Sequence, residues 1–449
     1  GVEEWWIAIS LWFMVARSCF DALSTNVHLK AHHEQPIKAR SAPQTHGRLE
    51  FTFWRQLTLQ SFLASFSPAN EPGCTMILFL LTFFCLYGGI NFYFFFRARS
   101  ILHLSGPAQG VILVAVIVLI FAPILIRILE SFHWEGLARA LAYIGYVWMA
   151  FVFLFFFLSI STELVRIVHK LFVPDAARLA LKTATFYLSV VVAAGLVIYG
   201  YFDAQHLRVR HLALTTNHTL PNGGKLRIVQ ISDVHVGIII RENRLADLLE
   251  KIRAARPDIL VSTGDLLDGE LDNIMHEAKY FASMEAPYGK YAVLGNHEYY
   301  AGLKRSIEFT RAAGFDLLRD SMTQTAGITI YGQDDITGRT AANAKKREAF
   351  NNELRKKQDN FTLLLKHQPR VDGEAKFDLQ LSGHTHGGQI YPFGLVVKLY
   401  FPKIYGLHRL TSGGLLYISR GSGTWGPPVR VFAPPEITVI DLEGKQVKM

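Results

Sequence analysis

Four long apolar runs crowd into the first half of the chain, and a different rhythm takes over in the second. Met76 to Phe96 carries no charge and is closed by Arg97 and Arg99. Gln109 to Ile126 is closed by Arg127, Ala140 to Thr162 is rich in phenylalanine, and Thr183 to Phe202 is again uncharged. Each is close to the ~20 residues that a helix needs to cross a ~30 Å hydrocarbon core. Four such runs with short connections predict membrane helices over about 76–96, 109–127, 140–162 and 183–202, rather than buried helices of a large soluble domain. A linker is expected over 204–224. Beyond it, short apolar runs alternate with amphipathic stretches. Strands are expected at Leu226–Ile231, Ile259–Ser262, Tyr291–Leu294, Ile328–Tyr331, Phe361–Leu365, Leu379–Leu381, Leu416–Ser419 and Ile437–Ile440, with helices such as Arg244–Ala255 and Ala341–Lys357 between them. This predicts an α/β domain over 225–449. Residues 1–75 have no clear period. Trp5 to Phe20 is apolar but short and interrupted by Arg17, as in a signal-like or extra membrane segment. The whole stretch reads as a poorly ordered extension.

Composition supports the split. Half of the residues are hydrophobic, 18% are charged and the mean hydropathy is +0.21, too apolar for one soluble globule and too charged for a pure membrane bundle. Residues 1–203 hold 14 Lys/Arg and 11 Asp/Glu, and residues 204–449 hold 32 and 26. The second half is therefore basic, which suits phosphate-bearing or anionic-lipid partners. It has no contiguous basic stripe with interleaved aromatics, which argues against nucleic acid. The three cysteines all lie in the first half, so the second has neither a disulfide framework nor a thiol nucleophile. The loops give an orientation. Arg97 and Arg99 in the first, and Arg166, Lys170, Arg178 and Lys182 in the third, place those loops in the cytoplasm and the second half of the chain outside it.

The chemistry sits at the ends of the expected strands. The motifs are Asp233-Val234-His235, Gly264-Asp265, Gly295-Asn296-His297-Glu298, His367 in Lys-His-Gln-Pro, and Gly383-His384-Thr385-His386. Side chains at the carboxyl ends of strands converge on one sheet edge. Imidazole, carboxylate and amide oxygen together suit Mn, Fe or Zn better than Mg or Ca. In Asp-x-His, residues two apart on an extended segment point the same way and can share one ion, and His-x-His does the same or straddles two adjacent ions. Asp268 and Glu270 read as outer supports or as surface acids. Tyr299 and Tyr300 read as pocket walls or as packing. Arg420 and Arg430 read more readily as structural salt bridges than as substrate contacts. The Lys345-Lys346-Arg347 and Arg355-Lys356-Lys357 groups read as a solvated helix face.

Taken in this order, the five motifs resemble the calcineurin-like metallophosphoesterase superfamily over roughly residues 225–445. Gly387-Gly388-Gln389 and the closing Arg430-x-x-x-Pro434-Pro435-Glu436-Ile437 resemble its membrane-associated phosphodiesterase branch. The resemblance implies a two-sheet αββα sandwich behind about four transmembrane helices. It implies two divalent transition-metal ions: Asp233, His235 and His386 on the first, Asp265 bridging, and Asn296, His367 and His384 on the second. His297 would be the catalytic imidazole. Paired cations lower the pKa of a shared water, so hydroxide becomes available to attack phosphorus. The expected activity is hydrolysis of a phosphodiester or phosphomonoester, on a lipid-linked or envelope substrate. The competing expectation is a non-catalytic membrane receptor or scaffold that binds a phosphate ligand.

Overall fold

The computed structural model describes residues 72–169, 175–268, 274–356 and 358–446. The extension expected over 1–75 lies outside the described residues except for its last positions. The chain divides into two compact units, Gly1–Gly89 and Ile90–Met449. Of the first, the described part is the opening of a helix in which the Phe83 and Tyr87 rings lie 5.6 Å apart.

Among the described residues, five helices precede the sheets: α1 (Pro72–Leu102), α2 (Gly106–Ile120), α3 (Ala122–Ser131), α4 (Glu135–His169) and α5 (Asp175–Gln205). Among the described residues, two are long and apolar enough to cross a membrane, α4 over Glu135–Ile167 and α5 over Ala180–Gln205, or three if α2 and α3 count as one broken span. The second expected span is thus corrected. It is not one helix over 109–127 but two, bent by 63° at Phe121. Pro123 lacks an N–H and its ring crowds the carbonyl four residues earlier, so the helix restarts there. Aromatic rings fill the bundle. Phe94 meets Trp148 and Phe155 edge-on at 5.1 and 5.0 Å, geometry that suits the ring quadrupoles. Trp148 donates its indole N–H to Asn91 at 2.7 Å, which keeps that buried amide satisfied.

The rest is a sandwich of two six-stranded sheets. The first has the order β1 (Arg208–Leu220), β12 (Glu436–Gln446), β2 (Lys225–Ile231), β3 (Ile259–Ser262), β4 (Lys290–Ala292), β5 (Asp316–Leu317). The second has the order β10 (Gly406–Arg409), β11 (Leu415–Ile418), β9 (Leu379–Ser382), β8 (Phe361–Lys366), β7 (Ile328–Gln333), β6 (Ser321–Thr325). Both centres are parallel: β2, β3, β4 and β5 in one, and β7, β8, β9 and β11 in the other. The period of two sorts their side chains. From β2, Leu226 and Ile228 join the core between the sheets with Ile330, Leu363, Leu365, Leu381 and Ile440, whereas Val229 and Ile231 face the outer helices. The eight expected strands are all present, Ile259–Ser262 as expected and the others with ends shifted by at most six residues.

The linker expected over 204–224 is the clearest error of sequence reading. Thirteen of its residues form β1, which runs parallel to the last strand, from Arg208 beside Glu436 to Leu220 beside Gln446. Its inner side carries Leu212 and Leu214 toward the inter-sheet core. The bundle passes into the sheet almost without a gap. Arg244 donates to the carbonyls of Gln205 and Ala204 at 2.7 and 2.5 Å, capping the end of α5, where the helix dipole is negative. Arg241 pairs with Glu135 at 3.4 Å. Ile126, Ala138 and Ala142 are buried in one cluster with Val234, Val236, Ile238, Ile239, Ile240, Leu266 and Leu267. Ile390, Val429 and Val431 are buried with Leu154, Phe155 and Val197.

Candidate metal centre

Each motif falls just past a parallel strand: Asp233 and His235 after β2, Asp265 after β3, Asn296 and His297 after β4, His367 after β8, and His384 and His386 after β9. Both sheets therefore deliver their groups to the same edge. The backbone is unusual there. Asp233, His235, Asp265, His384 and His386 have φ of 51°, 54°, 49°, 70° and 50°, the left-handed region that costs most residues energy. Strain of this kind persists only where the surroundings fix it. Two glycines allow the crowding. A Cβ on Gly295 would strike the Asp265 carboxylate, and one on Gly383 would strike Ser232 and the Asp233 carboxylate.

The structure brings all eight predicted residues together. Asp233, His235 and His386 form one group able to hold a metal ion, Asp265, His367 and His384 a second, and His235, Asp265 and His297 a third. Asp265 Oδ2 lies 3.0 Å from His367 Nε2 and 3.9 Å from His235 Nε2. His235 and His386 meet through Nε2 at 3.1 Å, as do His384 Nδ1 and His367 Nε2. Asn296 Oδ1 lies 3.2 Å from His367 Nε2. His386 Nε2 is 3.4 Å from Asp233 Oδ1. All but Asn296, His297 and His384 are buried.

Electrostatics show what such a cage lacks. Burial alone would raise the Asp265 pKa, but His367, with His297 and His235 behind it, holds it well below the usual carboxylate range. Burial disfavours charge on His367, yet Asp265 lifts it to about 10. Burial and His367 push His384 down to about 3. Burial and then Arg430 push His386 well below the imidazole range, keeping that ring unprotonated. Burial raises the Asp233 pKa. The proton on His367 stands where a cation would serve the same carboxylate.

Supports surround this cage. His367 Nδ1 lies 2.9 Å from the Thr263 carbonyl, which can only accept, so the proton sits on Nδ1 and Nε2 is left as a ligand atom. His297 Nδ1 does the same toward the Asp268 carbonyl at 3.0 Å. The Asp268 carboxylate lies 3.3 Å from His235 Nδ1 and 3.4 Å from His297 Nδ1. Burial works to raise its pKa, but His235 keeps it low. Glu298 accepts the backbone N–H groups of Asp265, Leu267 and Gly295 at 3.0, 3.1 and 2.7 Å, tying two ligand loops together. Burial, aided by Asp265, lifts its pKa to about 7.

Sequence reasoning left Asp268 open between support and surface acid. Its spacing three past Asp265 was the available signal. It gave Glu298 no role beyond the motif. Arg430 is fully buried and donates to the carbonyls of His386, Arg420, Ala433 and Gly423. Arg420 pairs with Glu436 at 3.1 Å. Arg420 thus makes the salt bridge expected of it, whereas Arg430 makes none among the described residues and is held by carbonyls and by His386 Nδ1 at 3.2 Å. Tyr299 packs against Arg319, while the exposed Tyr300 and Trp425 rings lie 5.7 and 5.9 Å from His297.

Residues 226–388 match the family model described as calcineurin-like phosphoesterase. An uncharacterized metallophosphoesterase of Aquifex aeolicus is 38% identical over 262 residues, covering 57% of this chain and 98% of that protein. One from Campylobacter jejuni is 33% identical over 302 residues, covering 65% of this chain and 79% of the other. A transmembrane protein with metallophosphoesterase domain from Danio rerio is 28% identical over 315 residues, covering 65% and 71%. With its two-sheet sandwich and its edge of His and Asp, this chain belongs to the calcineurin-like metallophosphoesterase family, and so to the metal-dependent phosphoester hydrolases.

Proposed function

We propose that the protein is a membrane-anchored phosphoesterase with a dinuclear centre, acting on a phosphodiester or phosphomonoester of a lipid-linked or envelope substrate. One observation carries the reading. Asp265 belongs both to the group with His235 and to the group with His367 and His384, so a single carboxylate stands between two ligand sets. Asp233, His235 and His386 would hold one ion, and Asn296, His367 and His384 the other. The mixed nitrogen and oxygen donors suit Mn, Fe or Zn. When bound, the ions supply Lewis acidity and an activated water.

The chain's own groups do the rest. Asp265 draws the two ligand sets together. Glu298 fixes the Asp265 and Gly295 backbones, so the bridging carboxylate cannot swing. His297, its Nδ1 proton held by the Asp268 carbonyl, turns Nε2 toward the site, from where the doubly protonated ring can pass its Nε2 proton to the leaving oxygen. Asp268 keeps the His297 and His235 rings oriented from behind. Trp425 and Tyr300 beside His297 limit water on that side.

Membrane anchoring is supported by α4 and α5, and orientation by where the charges fall. Arg97 and Arg166 both bind Glu163, and Lys182 reaches Ser100, so the basic groups gather at the bundle end remote from the Gln205 joint to the sandwich. This gathering of charge supports a reading with the catalytic domain outside the cytoplasm. The test uses the full chain in detergent, stripped of metal and reloaded with Mn, Fe or Zn, on nitrophenyl mono- and diesters. Metal-dependent turnover with diester preference is expected. Phosphate binding without turnover under every metal would replace this reading with the scaffold.

A further inference from the structure

The helix Phe393–Tyr400 begins a few residues after His386 and belongs to no motif. Only Gly394 in it is buried. It is tied to the metal centre at both ends. Gly394 sits so close to Gly388 that a Cβ on Gly388 would meet its backbone, and the Phe401 ring lies 5.2 Å from His384. Along its outer side run Leu395 and Leu399, four residues apart and thus on one face, with exposures of 51 and 68%, and Tyr391, 51% exposed, stands just ahead of the helix. Beside them stands Phe432, 65% exposed, its ring 6.3 Å from Tyr391.

In water this ridge has no rationale. Phe432 has φ of 61°, a strained conformation for a bulky side chain, and the strain is spent on holding its ring outside the core. The ridge is continuous with the apolar helices. Phe393 packs edge-on against Phe153 of α4 at 6.2 Å, and Phe432 lies 6.1 Å from Tyr199 of α5. On those helices Ile144, Leu188, Val191 and Ile198 are themselves exposed apolar positions. Lys398 and Lys403 are exposed nearby, with stems long enough to keep their charges at a headgroup layer while the leucines point deeper.

We propose that the ridge of Tyr391, Leu395, Leu399 and Phe432 lies in the interfacial layer of the same bilayer that α4 and α5 cross, so that the metal centre opens at the lipid surface. This rests on the reading of α4 and α5 as membrane spans. An amphipathic helix with apolar residues on one face and lysines at its edge binds such a layer by burying the apolar side among the upper acyl chains. The occupant is lipid rather than protein because the ridge continues faces that already belong to apolar spans. A substrate phosphate in the headgroup layer would then stand beside His384 and His386 without leaving the membrane.

The experiment replaces Cys19, Cys74 and Cys85 with serine in the full chain and adds one cysteine at a time: Leu399→Cys on the ridge, Val191→Cys on the exposed side of α5, and Lys345→Cys on the far side of the sandwich. Each is labelled with an environment-sensitive fluorophore and reconstituted into vesicles of phosphatidylcholine and phosphatidylglycerol. A quencher attached to the acyl chains or iodide in the water is then added. The expected result is blue-shifted emission at 399, quenched from the lipid as at 191, with 345 quenched only by iodide. If 399 behaves like 345 while 191 is quenched from the lipid, the proposal fails and the anchoring stands. If 191 also answers only to iodide, the spans fail and the proposal with them.

Discussion

The two outer faces of the sandwich are covered in different ways. Over the second sheet, Tyr331 and Leu364 are met by Phe350 and Leu354 of the helix Ala344–Leu354 and by Ala375, a small cluster under a charged helix. Over the first sheet, the cluster is several times larger, and part of it comes from the bundle: Ile126 from α3, and Ala138 and Ala142 from α4. It also includes Val234, Val236, Leu266 and Leu267, interleaved with or adjoining Asp233, His235 and Asp265. The first-sheet half of the metal centre thus leans on α3 and α4, and the loops that follow His386 lean on α4 and α5, whereas the outer face of the second sheet is covered only by the helix Ala344–Leu354 and its neighbours. The anchor is a structural layer of the catalytic fold rather than a tether to it.

The largest test removes the centre and leaves both layers intact. Asp265→Asn should abolish turnover and leave little metal bound, with unchanged circular dichroism. Metal retained with activity would show that the carboxylate does not join the two ligand sets. Next come the layers themselves. Leu354→Ala should cost about 2–5 kcal/mol, the usual range for a truncated core leucine, read by denaturant unfolding with metal affinity unaltered. Ala142→Phe should cost about 1–3 kcal/mol by overpacking, and should also weaken metal binding because the displaced neighbours flank Asp233 and His235. Equal effects of the two changes on metal affinity would erase the contrast between the faces. Asp268→Asn should lower metal affinity or turnover roughly 10- to 100-fold, the common effect of losing a ligand's supporting group. Calorimetric titration with Mn would show it.

The smallest effect concerns protons. In the metal-free chain His367 is lifted to about 10, so it is protonated at neutral pH, and an ion must displace that proton to use the ring. Affinity should therefore fall as pH drops below that value, by about tenfold per unit for one proton. Proton release in weakly buffered solution on adding Mn, and its loss in His367→Ala, would show the coupling.

Much of this was legible in advance because the chemistry is written at strand ends. The eight residues of the centre could be named from five short motifs through their resemblance to a family, although the left-handed backbone that aims them was not visible there. Illegible features depended on distant partners. β1 carries Val209, Leu212, Leu214 and a threonine-rich middle, a pattern too sparse to read as a strand until β12 lies beside it. The break at Phe121 was signalled by Pro123, but the continuous apolar run concealed it. Glu298 stood in its motif without a role of its own, and only the three backbone N–H groups converging on it reveal its work. The dependence of the first sheet on α3 and α4 left no mark in the sequence, since alanines 138 and 142 are unremarkable until something packs on them.

The pairing of β1 with β12 has a consequence for biosynthesis. A ribosome delivers β1 directly after α5, and its partner β12 only after all the other described strands. Until then β1 is left with open hydrogen-bonding edges, the kind of exposed strand that invites misassembly. Nascent chains of this protein should therefore depend on holding factors until Glu436–Gln446 has emerged, and a stop codon placed just before Glu436 should yield aggregates rather than a shortened enzyme.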